Sequence, residues 1–163
     1  MPRTIATASL LLAVAMFGAL AFSPLRLLVV TSSTGTIACT IVTIGSHATL
    51  EFTHSMYGGD VTEVYRVTSD NQLEREMFLT DNAAAAEYYA WTAEVHPVGD
   101  RYEVVAPPES FPELTVRVDQ VGKHRFAVDT TIWNLAAMVD QSAQVRIRVE
   151  TRPLLTHLAG TTC

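Results

Sequence analysis

Basic residues are scarce in this sequence. Lysine and arginine together number 11 against 17 aspartates and glutamates, so the formal net charge is -6. Lys123 is the single lysine, and the arginines are scattered rather than clustered. A chain without a basic run lacks the electrostatic footprint of a nucleic-acid-binding protein, and an acidic domain has little affinity for anionic lipid. We therefore expect no nucleic-acid partner, and any link to a membrane must be apolar.

Cysteine is equally rare, with Cys39 and Cys163 the only two in the chain. Cys39 alternates with Ile37 and Ile41 along one face of a short apolar run. A small hydrophobic side chain at such a position is a common use of cysteine. We therefore favour a core side chain over a disulfide to the C-terminal tail.

The spacings that accompany catalytic or metal sites are also absent. The histidines show no His-x-x-x-His spacing and the cysteines no Cys-x-x-Cys spacing, so no metal or other cofactor is predicted. Ser55 follows His54 directly, and neighbours along a strand point to opposite faces, so this serine cannot use that imidazole. No Gly-x-Ser-x-Gly elbow occurs. These absences predict a protein that is not an enzyme.

The N-terminus carries a long apolar run from Ile5 to Phe22, with Arg3 as the only charge before it. Ala19-Leu20-Ala21 is an acceptable cleavage site for a signal peptide, yet the run is also close to the ~20 residues that span a bilayer. We expect residues 1–24 to be a signal peptide or membrane-anchor helix. An extracytoplasmic β domain over 25–155 and a C-terminal tail over 156–163 would follow, in a membrane-anchored or secreted protein.

Apolar and polar residues alternate with a period of two after this leader, a pattern typical of strands. Asp81–Glu94, with Asp81-Asn82 as possible caps, and Ile132–Val139 break the pattern and predict one or two short helices. The short spacing of the strands favours an all-β fold, mainly an antiparallel sandwich or small barrel, preceded by an apolar N-terminal helix. The predicted strands are Leu27–Thr31, Thr36–Val42, Thr49–Ser55, Val61–Thr68, Gln72–Thr80, Arg101–Val105, Leu114–Asp119, His124–Thr130 and Val145–Glu150.

The segment from Leu50 to Thr68 predicts a β-hairpin with Gly58-Gly59 as a two-residue turn. That turn sets His54 opposite Glu63 on an apolar face. The pair could form a binding or proton-handling element at a pocket mouth, or a structural contact that fixes the register. The same register sets Tyr57 opposite Asp60, Ser55 opposite Thr62, Phe52 opposite Tyr65 and Glu51 opposite Arg66, and it gathers Leu50, Phe52, His54, Glu63, Tyr65 and Val67 on one face.

The run Phe-Thr-His-Ser-Met at 52–56, followed by Val-Thr-Glu-Val-Tyr-Arg-Val at 61–67, resembles the signature of an uncharacterised family, domain of unknown function 1850. His54, Ser55, Glu63 and Tyr65 are the binding or family-signature positions, with no assigned role. Members of that family are often encoded beside, or fused to, permeases of TAXI-type TRAP transporters. The resemblance implies a membrane-associated accessory with a TRAP permease or a TAXI-type solute-binding protein as partner.

Three hypotheses follow for the function. The first is an extracytoplasmic accessory or binding domain linked to a TRAP solute uptake system. The second is a free-standing β domain that binds a small ligand or a metal near His54. The third is a structural envelope protein without a ligand, in which the His54–Glu63 pair only fixes the hairpin.

Overall fold

A computed structural model describes residues 21–90, 93–105, 107–140 and 142–155. Within those ranges the chain forms twelve β-strands and two short helices. The helices are α1 (Ala83–Ala90) and α2 (Leu135–Met138). The strands are β1 (Pro24–Ser32), β2 (Gly35–Ile41), β3 (His47–Thr53), β4 (Asp60–Val67), β5 (Leu73–Thr80), β6 (Glu94–Val98), β7 (Arg101–Val105), β8 (Glu109–Phe111), β9 (Leu114–Val118), β10 (Arg125–Val128), β11 (Thr131–Asn134) and β12 (Ala143–Pro153).

The strands form two antiparallel sheets. The smaller has the order β2-β1-β12-β9, and the larger has the order β11-β10-β3-β4-β5-β7-β6, with β8 added beside β5. The inner faces of the two sheets pack on each other in one shared core, to which Leu28 and Ile147 contribute from one sheet and Leu50 and Phe126 from the other. The all-β antiparallel sandwich is therefore confirmed.

The alternation of buried and exposed residues along β12 explains why one face of this strand packs against the core. Val145 and Ile147 are fully buried, whereas Arg146 lies exposed between them. Because successive side chains of a strand point to opposite faces, this strand presents one apolar row to the core. Each buried valine or isoleucine side chain contributes roughly 1.5–3 kcal/mol to folding relative to an exposed one.

A second, smaller core lies under α1, where Ala86 packs on Val61, Phe78 and Val104. The helix begins where it was predicted to begin, because Asn82 Oδ1 accepts hydrogen bonds from the backbone N–H groups of the first turn, at 2.9 and 3.2 Å. Asn82 is thus the cap that the sequence indicated.

Several predicted boundaries were wrong. The helix predicted over Asp81–Glu94 ends at Ala90 where it is described, and Glu94 opens β6, which contains His96 and Pro97. In Ile132–Val139, the first residues belong to β11, and only Leu135–Met138 is helical. β6, β8 and β11 were not predicted.

The membrane-related predictions fall largely on residues outside the description. The apolar segment 1–24 is described only from residue 21, and of the tail 156–163 nothing is described. In the described part of the chain, neither helix has the length and apolar character needed to cross a bilayer.

Cys39 is half-buried on β2 and is disulfide-bonded. The expectation of an unbonded core side chain was therefore wrong, because burial on a strand does not prevent the sulfur from reaching a partner. Cys163 lies outside the described residues.

Candidate functional site

The hairpin that carries the signature residues has a longer loop than the sequence predicted. β3 and β4 pair so that Leu50 faces Glu63 and Phe52 faces Val61. The connection therefore runs over the six residues from His54 to Gly59, not over Gly58-Gly59 alone. The predicted His54–Glu63 pair was wrong, because His54 lies in the loop and Glu63 in the strand.

The other predicted cross-strand pairs change in the same way. The observed partner of Glu51 is Thr62, and that of Tyr65 is Ala48. The predicted sharing of faces survives on the strands, because the register moved by an even number of residues. Glu63 and Tyr65 both point to the inner side of the sheet, as predicted.

His54 holds the loop together. Its Nδ1 accepts hydrogen bonds from the backbone N–H groups of Met56 and Tyr57, each at 3.2 Å. Its own backbone bonds to Gly58 at 2.9 Å and to Gly59 at 3.0 Å, which closes the loop. Both glycines have positive φ, 67° and 79°, so the Gly-Gly pair does supply the left-handed backbone, but within a wider turn.

The imidazole of His54 is 8% exposed and lies among aromatic rings. Tyr57, Tyr88 and Tyr89 have ring centroids 5.1, 5.5 and 5.6 Å from it. The neighbouring Ser55 is exposed at the loop. This arrangement gives His54 a loop-fixing role, and the described residues show no hydrogen bond between His54 and Glu63.

Glu63 is bound by a near neighbour on its own strand. The hydroxyl of Tyr65 donates a hydrogen bond to Oε2 of Glu63. Burial raises the pKa of Glu63 above its ordinary value, although the Tyr65 bond and the charge of Arg75 act in the opposite direction. Burial likewise raises the pKa of Tyr65. The site therefore favours a carboxyl that holds its proton more readily than an exposed glutamate.

The Glu63–Tyr65 pair lines a cavity of about 340 Å³ between the two sheets. Arg75 on β5 and Phe111 on β8 contribute from the larger sheet, and β9 of the smaller sheet closes the other side. The full lining comprises Leu50, Phe52, Glu63, Tyr65, Arg75, Phe111, Glu113, Leu114, Thr115, Val116, Arg117 and His124.

Arg75 and His124 each carry a buried nitrogen without a hydrogen-bond partner among the described residues, Nε and Nδ1 respectively. The guanidinium of Arg75 lies over the ring of Phe111, with Cζ 5.6 Å from the ring centroid. His124 stacks on Phe52 at 5.6 Å with an interplanar angle of 14°. Unpaired buried polar atoms are few in folded proteins, so two beside one cavity mark it as a candidate site.

Neither Arg75 nor His124 was among the predicted site residues. Arg75 lies two residues after Leu73, so it falls on the same face of a strand as a fully buried leucine. A single arginine on an otherwise apolar strand face could therefore have identified Arg75 as a candidate site residue. Phe111 could not be found this way, because β8 has three residues and no alternation.

A larger cavity, of about 600 Å³, lies beside α1 and is lined by Tyr88, Tyr89, Phe78 and Val104, among others. Arg75 and Phe111 line this cavity as well, so they form a wall between the two. Within the described ranges no three His, Cys, Asp or Glu side chains come together in a way that could hold a metal ion.

The fold and site were compared with known proteins. A family model described as a domain of unknown function, DUF1850, matches residues 48–135, more than half of the chain. The match spans β3 to β11 and so includes Glu63, Tyr65, Arg75, Phe111 and His124. Neither the curated proteins nor the solved structures include a significant match.

Proposed function

The chain belongs to the DUF1850 family, and from this premise we propose that it is a binding domain that holds a small ligand between its two sheets and catalyses no reaction. The cavity of about 340 Å³ is at the lower end of the roughly 300–1,000 Å³ typical of small-molecule sites. Apolar walls with a few convergent polar groups are the usual composition of such sites.

The observation that carries this proposal concerns one nitrogen each on Arg75 and His124, beside the Glu63 carboxyl, that have no hydrogen-bond partner among the described residues. A buried donor or acceptor without a partner costs roughly 1–3 kcal/mol. A ligand that supplies the missing partners recovers part of that cost on binding. A purely structural pocket would more simply be filled with apolar side chains.

Thermal unfolding of the full-length chain in mild detergent tests the proposal. The probes are panels of small carboxylic acids, amines, alcohols and divalent metal ions. We expect at least one class of organic compound to raise the melting temperature, and Leu114→Trp, which fills the cavity, to abolish the shift. Ile132→Trp on exposed β11 is the matched control, because Ile132 is 60% exposed.

Two results would count against the proposal. The first is a flat response to every panel. The second is a shift that persists in a folded Leu114→Trp variant. Should Leu114→Trp fail to fold, Tyr65→Phe offers a test that keeps the cavity volume nearly constant, and a ligand bound there should lose affinity.

For the cellular setting we propose an extracytoplasmic, membrane-associated accessory of a TAXI-type TRAP importer. The support is the family resemblance of the hairpin and the apolar segment that begins the sequence. Gentle detergent extraction of the tagged full-length chain should recover a TRAP permease or its solute-binding protein in stoichiometric amount. Recovery of the chain alone, from cells shown to contain that permease, would contradict the accessory function. It would not contradict the proposal that the domain binds a small ligand.

A further inference from the structure

The charged groups that line the cavity between the sheets differ in whether they already have a partner. Its lining includes the arginines Arg75 and Arg117 and the carboxyls Glu63 and Glu113. Glu113 is already engaged by Arg148, at 3.3 Å. Arg117 is exposed on β9 between the buried Val116 and Val118, so its charge lies toward solvent. The cavity therefore has one cationic group with a nitrogen that is unpartnered among the described residues, the Arg75 guanidinium, and an anionic group is the ligand group that suits it.

Arg75 can donate to such an anion. Its Nη2 donates to Glu109 at 2.8 Å, whereas its Nε has no partner among the described residues. The ring of Phe111 covers the guanidinium. Because Arg75 and Phe111 both line the cavity, the guanidinium lies within reach of a ligand there.

His124 can supply a hydrogen-bond acceptor, whereas Arg75 supplies a donor. The Nδ1 atom of His124 is buried and has no hydrogen-bond partner among the described residues. Burial lowers the pKa of His124 and so favours the neutral ring. A neutral ring with its hydrogen on Nε2 has an accepting lone pair on Nδ1.

Resting on the proposed function, we propose that the ligand is a small hydroxycarboxylate. Its carboxylate accepts hydrogen bonds from the guanidinium of Arg75, and its hydroxyl donates to Nδ1 of His124. Its carbon skeleton packs against the rings of Phe52 and Phe111. Carboxylate recognition by an arginine is among the stronger polar contacts in proteins, and it supplies the affinity.

Calorimetric titration of the full-length chain with matched compounds tests this assignment. Mandelate is compared with phenylacetate, which lacks the hydroxyl, and with mandelamide, which lacks the charge. Lactate, propionate and lactamide form a smaller set. We expect one of the hydroxycarboxylates to bind. Its deoxy and amide counterparts should each bind at least about tenfold more weakly, as the loss of one hydrogen bond implies.

Variants assign each contact. Arg75→Gln should remove the preference for the acid over the amide, and His124→Phe should remove the preference for the hydroxy acid over the deoxy acid. Arg125→Gln is the control, because this arginine pairs with Glu51 at 3.5 Å and lies outside the lining. Where a variant fails to fold, the compound series on the unaltered chain decides.

Amides that bind as tightly as the acids, or no binding by any hydroxycarboxylate, would overturn the assignment. Binding of another compound class that is lost in Leu114→Trp would also overturn it, yet would support the broader proposal of a small-molecule site. The two proposals therefore fail under different results.

Discussion

Tyr65 and Glu63 lie two residues apart on the same face of β4, and the Tyr65 hydroxyl donates a hydrogen bond to Oε2 of Glu63. Both side chains point between the sheets, where burial raises the pKa of the carboxyl. The relationship is local in sequence, and it replaces the cross-strand contact between Glu63 and His54 that the Gly-Gly turn suggested.

Glu63→Gln should change how stability depends on pH. Because the pKa of Glu63 is raised in the folded protein, the carboxyl stabilises the fold fully below its unfolded pKa, and this contribution is lost as pH rises through the folded pKa. Glutamine does not titrate. The free energy of unfolding of the unaltered chain, minus that of the variant, should therefore fall as pH rises from about 4 to about 8.

Urea unfolding at several pH values measures this difference. Glu87→Gln on α1 is the matched control, since that residue is exposed and its variant should keep the pH slope of the unaltered chain. A difference between Glu63→Gln and the unaltered chain that stays constant with pH would contradict the raised pKa.

Tyr65→Phe should cost about 1–3 kcal/mol, because a buried carboxyl loses the hydroxyl that satisfies it. The same change should raise the pKa of Glu63 further, since the Tyr65 bond lowers it in the native protein. Chemical unfolding and NMR titration of labelled glutamate carboxyls measure the two effects. Tyr88→Phe is the control at a 47% exposed ring and should be nearly neutral. Equal costs for the two variants would argue against the buried hydrogen bond.

His54→Ala should destabilise the loop by roughly 1 kcal/mol, because the N–H groups of Met56 and Tyr57 lose their acceptor. His54→Asn should restore part of the loss, since an asparagine oxygen accepts from backbone groups two residues on. Ser55→Ala at the exposed neighbouring position is the control. Amide chemical shifts and hydrogen exchange over residues 56–59 report the effect directly. Unchanged exchange in His54→Ala would contradict the loop-fixing role.

Gly122→Ala should displace the His124 imidazole. A Cβ at Gly122 would lie 2.7 Å from Nδ1 of His124 and closer still to its Cε1, so the ring must move. The expected cost is about 1–3 kcal/mol, as for other overpacked sites. Gly58→Ala is a useful contrast, because that glycine has open space around it and a φ of +67°, so its cost comes from the backbone alone. Ring proton shifts of His124 should change only in Gly122→Ala.

The alternation of apolar residues predicted most of the larger strands and their inner faces. A strand that is buried on one side of a sheet has apolar residues at every second position. β9 and the middle of β12, from Val145 to Val149, are examples, with every second residue buried. The short strands β6, β8 and β11 were not predicted. β6 contains Pro97, which a sheet tolerates at its edge, where β6 lies.

The site was predicted only in part, for two physical reasons. A Gly-Gly pair indicates positive φ but not the length of the loop around it, so the side-chain bonds of His54 decided the register instead. Arg75, Phe111 and His124 come together from three separate elements, and contacts of that range are set by sheet order, which no local pattern contains. Glu63 and Tyr65 were identified because both lie on one strand.

The wall of Arg75 and Phe111 between the two cavities has a consequence for the size of what the domain can hold. Phe111 ends β8, whose three residues pair with β5 beside the main path of the sheet. A molecule that extends from the smaller cavity into the larger, aromatic one beside α1 must pass both of these side chains. Arg75 and Phe111 therefore limit the length of a molecule that fits the smaller cavity, while the residues of the two sheets set the chemistry of its polar end.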